Sequence, residues 1–271
     1  MQNLHGRVAV ITGAASGIGL ALARRFAAEG MHLLVTDINR DAIDTAAAAI
    51  RADGTTIEAL ALDVRDPDAV EAAADLAVER FGGLHIAVNN AGIVNGGKTW
   101  ELPLEDWHAV IDVNLWGVIH GVRAFVPRIL ATGDEGHVVN VASMAALTAL
   151  GGLGPYTVAK HGILGLSDVL RADLVAADVP VGVSVVFPGR IRTAMNPIGT
   201  ITAETVAENI LDAVRRNRPY VFTDDHSADD VRTRLEAILA ARADVLPRDA
   251  DDRSASEQRS WADGGGAADG S

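Results

Sequence analysis

A glycine-rich turn between a short strand and a helix constrains the fold of this chain more than any other feature of its sequence. Residues 8–11 form a β-branched run that fits a strand buried on both faces. Gly13, Gly17 and Gly19 follow, and a helical hydrophobic pattern then runs as far as Gly30. Glycines placed in this way let the backbone approach a pyrophosphate, whose charge is favourable at a helix N-terminus. An ordinary glycine-rich turn has the same composition, so the turn alone leaves both interpretations open.

Further apolar runs alternate with helical patterns along the chain. The predicted strands after the first are residues 32–36, 56–62, 84–88, 138–142, 181–187 and 219–223. Because strands that alternate with helices build parallel sheets, the pattern predicts an α/β fold. The chain has 271 residues, 49% of them hydrophobic, which is enough for one such domain with a sizeable core.

The domain is expected to span residues 1–246, with a disordered tail over residues 247–271. The tail is rich in Asp, Arg, Ser, Gly and Ala, and Trp261 is its only large apolar residue. Such a composition buries too little surface to order itself.

Composition and charge exclude several classes of function. The formal net charge of −13 disfavours nucleic acid and anionic membranes as partners. The absence of cysteine excludes disulfides and thiolate metal sites, and no His and carboxylate cluster has the spacing of metal ligands. Residues 138–159 carry no charge, but the glycines and proline at 151–155 would break a membrane helix. No signal peptide is recognised, so we expect a cytoplasmic location.

Two acidic residues follow predicted strands at the edge where ligands bind in such folds. Asp37 ends the second strand about twenty residues after the glycines, where a carboxylate accepts ribose hydroxyls and repels a 2′-phosphate. Ile38 offers no charge to a phosphate, although Arg40 is close, so the pattern favours NAD over NADP. Asp63 follows the third strand and could meet an adenine amino group. Either residue could instead cap a helix or turn.

Tyr156 and Lys160 lie one helical turn apart on the same predicted face. A fixed positive charge nearby favours a phenolate and lowers the pKa of a tyrosine, which makes it a better base. Ser143 follows an apolar run, so its hydroxyl should emerge at the carboxyl end of a strand. Tyr and Lys pairs at this spacing are also common on solvated helices, and the pair by itself is a weak signal.

The motifs occur together and in one order. They are Thr12-Gly-x-x-x-Gly17-x-Gly19, Asn89-Asn-Ala-Gly92, Asn114, Ser143, Tyr156-x-x-x-Lys160 and Pro188-Gly189. In this order and at these spacings they resemble the short-chain dehydrogenase/reductase family, over about residues 4 to 246. The resemblance implies a Rossmann-type, doubly wound seven-stranded parallel sheet with helices on both faces.

The resemblance also implies a cofactor site and a catalytic set. The cofactor-binding residues would be Gly13, Ser16, Gly17, Ile18, Gly19, Asp37, Asp63, Val64, Asn90, Ala91, Gly92, Tyr156, Lys160, Pro188, Gly189, Ile191 and Thr193. Tyr156 would be the base in oxidation and the acid in reduction, and Lys160 would lower its pKa. Ser143 would hydrogen-bond the reacting oxygen, and Asn114 would hold a water that joins Lys160 to a proton relay.

Apolar residues near Ser143, including Ala145 and Leu150, indicate a hydrophobic, cyclic secondary alcohol or its ketone, similar to a steroid or terpenoid. These residues could also be core. Tyr156 and Ser143 would hold the reacting oxygen, and Arg190 or Lys98 could pair with a carboxylate on the substrate. Helices around residues 107–128 and 156–176 would, by resemblance, form a homodimer or homotetramer.

Two alternatives to an NAD-dependent dehydrogenase stay open. One is an NADP-dependent carbonyl reductase, which would share the active site and differ around Asp37. The other is a non-catalytic protein that senses NAD(H) or acts as a scaffold, because a fold alone does not establish activity. The joint presence of Asn114, Ser143, Tyr156 and Lys160 favours the enzyme, since NAD binding requires neither the serine nor the base.

Overall fold

A seven-stranded parallel sheet forms the centre of the molecule. The computed structural model describes residues 1–192, 198–223 and 228–243. The strands are β1 (Val8–Thr12), β2 (His32–Asp37), β3 (Ile57–Ala61), β4 (Ile86–Asn89), β5 (Gly136–Val141), β6 (Val181–Phe187) and β7 (Tyr220–Phe222). Their order is β3-β2-β1-β4-β5-β6-β7, with every pair parallel. This confirms the predicted doubly wound sheet.

Helices cover both faces of the sheet. They are α1 (Gly17–Ala28), α2 (Arg40–Ala52), α3 (Pro67–Phe81), α4 (Leu104–Ile111), α5 (Gly117–Leu130), α6 (Gly154–Ala176) and α7 (Ala203–Arg216). A further helix, α8 (Ala228–Ala243), belongs to a separate compact unit. Successive strand residues point to opposite faces, so β1 contributes Ala9 and Ile11 to one core and Val8 and Val10 to the other. The first core lies beneath α1, α2 and α7, and the second beneath α3, α5 and α6.

One turn of π-helix, Asp112–Trp116, joins α4 to α5. Such turns inside longer helices occur often at functional sites. Within the described ranges, the continuous helical stretch Leu104–Leu130 is long and apolar enough to cross a membrane by length and composition alone, with a mean hydropathy of 1.3. Core helices pass the same test, and here α5 packs on α3 while α4 packs on α6.

The amino ends of the strands carry a separate set of polar contacts. His137 is buried and donates from Nε2 to Ser184 Oγ at 2.7 Å, because the Ser184 proton goes to the Arg218 carbonyl at 2.6 Å. Burial lowers the pKa of His137 to about 3. These contacts lie away from the edge at which ligands bind in such sheets.

The described residues up to 223 form one compact unit, and α8 forms a second. Leu235, Ile238 and Leu239 of α8 are exposed. The proposed extent of the domain stays a prediction, and the tail predicted over residues 247–271 lies outside the described residues.

Candidate active site

A cleft of about 760 Å³ lies at the carboxyl ends of the strands. Its walls include the predicted residues Gly13, Ser16, Gly17, Ile18, Asp37, Asp63, Val64, Asn90, Ala91, Gly92, Ser143, Tyr156, Lys160, Pro188, Gly189 and Ile191. Segments that are far apart in sequence therefore meet in one cavity. Thr193, which was also predicted to contact the cofactor, lies outside the described residues.

Glycines shape the loop between β1 and α1. Gly13 has φ +65°, and a Cβ atom there would lie 2.8 Å from Ala91 Cα. A Cβ atom on Gly19 would lie 2.3 Å from the Gly13 carbonyl oxygen. Gly19 thus does not line the cleft but allows α1 to pack closely under the loop. Asn90 Nδ2 holds the loop from the other side by donating to the carbonyls of Thr12 and Gly13 at 2.9 and 3.0 Å.

The N-terminus of α1 has no side chain that caps it. The Ser16 side chain accepts no hydrogen bond there, and the first turn contains no acidic residue. By contrast, Asn39 caps α2 and Asp66 caps α3. Unpaired N–H groups beside a loop that approaches the cleft fit an anionic pyrophosphate. The residues present therefore fit the phosphate portion of a dinucleotide.

Asp37 lies at the mouth of this loop. Its carboxylate accepts hydrogen bonds from the Ala15 N–H at 3.1 Å and the Asn39 N–H at 3.0 Å. Asn39, not Asp37, caps α2, so the helix-cap interpretation of Asp37 is wrong, but the bond from the Asn39 N–H agrees with the alternative that Asp37 is a turn residue. Ile38 beside it lines the cleft and is 68% exposed.

Arg65 is a cleft residue that the sequence analysis missed. Its Nε and Nη2 atoms donate to the Asp63 carboxylate at distances between 2.6 and 3.0 Å. These hydrogen bonds lower the pKa of Asp63 and keep it ionised. Asp66 caps α3 itself, while Asp63 Oδ1 accepts from the Arg65 N–H at 3.0 Å, which agrees with the alternative that Asp63 caps the turn before that helix. The position of Arg65 two residues beyond Asp63, at the same strand edge, was the available signal.

Ser143, Tyr156 and Lys160 meet at the other end of the cleft. Lys160 is only 4% exposed, and its Nζ donates to the Val141 carbonyl at 2.9 Å. The same Nζ lies 5.4 Å from the centroid of the Tyr156 ring. Burial lowers the pKa of Lys160 to about 8. The predicted pair on one helical face is therefore present.

The pKa of Tyr156 departs from the sequence expectation. Burial raises it, and a hydrogen bond with Ser143 acts in the opposite direction. Lys160 was expected to lower this pKa, but it is not among the groups that do so here. Lys160 is buried and Tyr156 is partly buried, so desolvation disfavours the charged form of each. Without a bound cofactor, the tyrosine is thus held as the neutral phenol.

Asn114 occupies the π-helical turn and is fully buried. Its Oδ1 accepts from the Ile93 N–H, and its Nδ2 donates to the Ile93 carbonyl, both at 2.8 Å. The side chain therefore satisfies the backbone of the segment after β4. Each of its two polar atoms makes one of these hydrogen bonds, and the predicted role of Asn114 in holding a water stays a prediction.

The wall near Ser143 differs from the prediction. Ala145 is fully buried, and neither it nor Leu150 or Arg190 lines the cleft. Lys98 is also outside it, and pairs with Glu101 at 3.0 Å. The apolar wall residues are instead Ile93, Val94, Ala109, Val113 and Leu153. They come from the segment after β4, from α4 and the π turn, and from the start of α6.

A cleft that has the glycine loop and Asp37 at one end and the partly buried Ser143 and Tyr156 with the buried Lys160 at the other has the arrangement of a nicotinamide-dependent oxidoreductase. The family model for short chain dehydrogenases matches residues 7–200. The chain belongs to the short-chain dehydrogenase/reductase family.

Known relatives are similar over most of the chain. A 1-deoxy-11-beta-hydroxypentalenate dehydrogenase from Streptomyces avermitilis is 41% identical over 86% of this chain and 89% of its own length. A short-chain dehydrogenase/reductase from Burkholderia phymatum, solved with NAD, is 33% identical with a TM-score of 0.87, covering 92% of this chain and 99% of that one. Carveol dehydrogenase from Mycobacterium avium, also solved with NAD, is 26% identical with a TM-score of 0.76, covering 82% and 97%.

Proposed function

We propose that this protein is an NAD-dependent dehydrogenase of hydrophobic, cyclic secondary alcohols, with Tyr156 as the general base. The observation that carries the proposal is the meeting of Ser143, Tyr156 and Lys160 in one cleft with Asp37 and the glycine loop. A protein that only binds a dinucleotide needs no partly buried phenol beside a serine and an ammonium. The non-catalytic alternative therefore explains less of the site.

The preference for NAD is supported by the contacts of Asp37. Hydrogen bonds from Ala15 and Asn39 hold its carboxylate beside the loop, where a 2′-phosphate would meet negative charge. Ile38 supplies no compensating cation. Arg65 lines the cleft but is paired with Asp63, so it is not available as a free partner for that phosphate.

The residues have complementary parts in the reaction. A bound nicotinamide would accept the hydride that leaves the carbinol carbon. Tyr156 acts in oxidation as the phenolate, which takes the proton from the hydroxyl of the alcohol and becomes the phenol, and in reduction the phenol returns that proton. Ser143 holds the reacting oxygen within reach of the phenol. Lys160, fixed by the Val141 carbonyl, places positive charge near the phenolate that forms.

The apolar wall supports a hydrophobic substrate. Ile93, Val94, Val113 and Leu153 offer no hydrogen bonds, so a ring system would be held by its shape and apolar surface. The similarity to dehydrogenases of 1-deoxy-11-beta-hydroxypentalenate and of carveol supports cyclic terpenoid alcohols as the substrate class. Among the described residues of the cleft, the cations are Lys160 and Arg65, so no free cation supports a carboxylate on the substrate.

A panel of cyclic secondary alcohols tests the proposal. We expect NADH to form with NAD at alkaline pH on terpenoid or steroid alcohols, and the signal to vanish in Tyr156→Phe. The chain contains two tyrosines, so Tyr220→Phe is a matched control that should keep full activity. Acid and methyl-ester forms of one substrate should react alike.

Other outcomes separate the alternatives. Turnover with NADP alone would make the protein an NADP-dependent carbonyl reductase. Tight NAD binding without turnover on any alcohol or ketone of the panel would favour a sensing role and overturn the dehydrogenase proposal.

We further propose that the protein is a homodimer or homotetramer that uses α6. The outer face of α6 carries Val158, Gly165 and Val169 at helical spacing; the two valines are at least half exposed, and no atom lies within 4 Å of the Cβ position of Gly165. An uncharged stripe with a small residue allows close approach of a second helix, and members of this family often form oligomers.

A further inference from the structure

Three buried polar side chains connect the strands beneath the active site to α6. Asn89 Nδ2 donates to Asn140 Oδ1 at 2.8 Å, and Asn140 Nδ2 donates to Ser167 Oγ at 3.0 Å. Ser167 passes its own proton to the Ile163 carbonyl at 2.7 Å. Each of the three is at most 2% exposed. The bonds therefore form one directed chain from β4 through β5 into α6.

This chain lies close to both halves of the catalytic set. Asn140 precedes Val141, whose carbonyl accepts the hydrogen bond from Lys160, and Ser143 follows on the same segment. Ser167 lies two helical turns after Lys160 on the buried face of α6. Two polar contacts thus join β5 to α6. Lys160 with the Val141 carbonyl lies at the active site, and Asn140 with Ser167 lies beneath it.

Apolar packing by itself specifies the position of a helix weakly, because aliphatic surfaces tolerate small shifts, whereas hydrogen bonds are directional. Ser143 depends on β5 for its position, and Tyr156 and Lys160 depend on α6. Any slide or rotation of α6 on β5 therefore changes the distance between serine and tyrosine.

The fold makes room for this connection at a cost in apolar packing. Gly121 of α5 lies against Asn89, and a Cβ atom there would be 1.9 Å from Asn89 Oδ1. Asn89 Oδ1 itself has no hydrogen-bond partner, whereas Asn140 Oδ1, Asn140 Nδ2 and Ser167 Oγ are all bonded, and buried hydrogen bonds of this kind stabilise one arrangement over its neighbours. The contact of Asn140 with Ser167 is the only step of the chain that passes from the sheet to a helix among these described bonds.

We propose that Asn140 and Ser167 are positioning residues that set the register of α6 on β5 and thereby align Ser143 with Tyr156 and Lys160. Neither residue lines the cleft, so neither touches substrate or cofactor. The kinetic consequence rests on the proposed dehydrogenase function, whereas the structural consequence does not.

The test compares Ser167→Ala with Ser184→Ala. Both serines are fully buried and hydrogen-bonded, but Ser184 bonds His137 and the Arg218 carbonyl near the amino ends of the strands. We expect Ser167→Ala to lower kcat about tenfold, because a misplacement of less than 1 Å slows a positioned reaction strongly. The Kd for NAD should not change, and the deuterium isotope effect on kcat should rise. Ser184→Ala should lower thermal stability and leave kcat unchanged.

A crystal structure of Ser167→Ala provides a readout without turnover. The distance from Ser143 Oγ to Tyr156 Oη should increase relative to the wild type. If Ser167→Ala does not fold, Ser167→Cys keeps the size and weakens the hydrogen bonds, and should show an intermediate loss of kcat. Unchanged kcat and an unchanged distance would overturn the proposal. Absence of activity in the wild type would count against the dehydrogenase function, and the crystal comparison would still decide the positioning role.

Discussion

Asp37 and Ile38 illustrate how two adjacent side chains can select a cofactor. The carboxylate lies at the glycine loop, and the exposed isoleucine lies beside it in the cleft wall. We expect Asp37→Ala combined with Ile38→Arg to raise the ratio of kcat/KM for NADP over NAD by at least about tenfold, since a repulsive charge is replaced by an attractive one. Asp41→Ala, on the exposed first turn of α2, is the control. An unchanged ratio would show that Asp37 does not select the cofactor.

Tyr156 allows its ionisation to be measured directly, because Tyr220→Phe leaves a single phenol in the chain. Burial raises the pKa of Tyr156, so the phenolate should appear only above about pH 10 in the unliganded protein. Ultraviolet difference spectra of Tyr220→Phe should show this, with Tyr156→Phe as the reference. Ionisation near neutral pH would mean that Lys160 controls the phenol after all. Oxidation should accordingly become faster as the pH rises.

Among the elements, the loop between β1 and α1 is the most sensitive to added volume. Gly19→Ala would place a methyl group 2.3 Å from the Gly13 carbonyl oxygen, so the loop must move. We expect NAD affinity to fall by about tenfold or more, measured by fluorescence titration, because the N-terminus of α1 would no longer face the pyrophosphate. Gly151→Ala is the control, since no atom lies within 4 Å of its Cβ position. Equal affinities would contradict the assigned role.

The strands and this loop could be predicted because buried parallel strands are continuous apolar runs and because the glycine spacing is local in sequence. The π turn around Asn114 could not be predicted, because the hydrophobic pattern of residues 104–130 is that of one continuous helix. The cleft wall was also missed in part. Ala145 and Val94 are both apolar, and only long-range packing decides that Ala145 is core while Val94 faces the cleft.

At the scale of the whole molecule, His137 couples stability to pH. Its pKa falls from 6.5 to about 3 on folding, so the unfolded chain binds more protons between these values. The free energy of unfolding should therefore decrease as the pH falls through this window, by about 1.4 kcal/mol per pH unit from this residue. His137→Gln should flatten the dependence of the free energy of unfolding on pH, measured by urea titrations at several pH values. Parallel slopes for the wild type and His137→Gln would contradict the assignment.

Assembly provides a second prediction at this scale. A charge on the outer face of α6, as in Val169→Glu, should reduce the mass observed by analytical ultracentrifugation, because a buried unpaired carboxylate is unfavourable. The control is Val175→Glu, which lies nearer the end of α6 and is also exposed. A wild-type monomer at high concentration would overturn the proposed homo-oligomer.

The two ends of the strands have different roles in this protein. The carboxyl ends hold the cleft, while the amino ends hold His137, Ser184 and the Arg218 carbonyl. Substitutions at the amino ends are thus free to tune tolerance to acid and heat while the chemistry is preserved. Because the two regions are separate, the wall residues around Val94 and Leu153 can be substituted for new substrates while the contacts at the amino ends of the strands stay the same. Stability and substrate specificity can therefore be changed by substitutions in two separate regions of this protein.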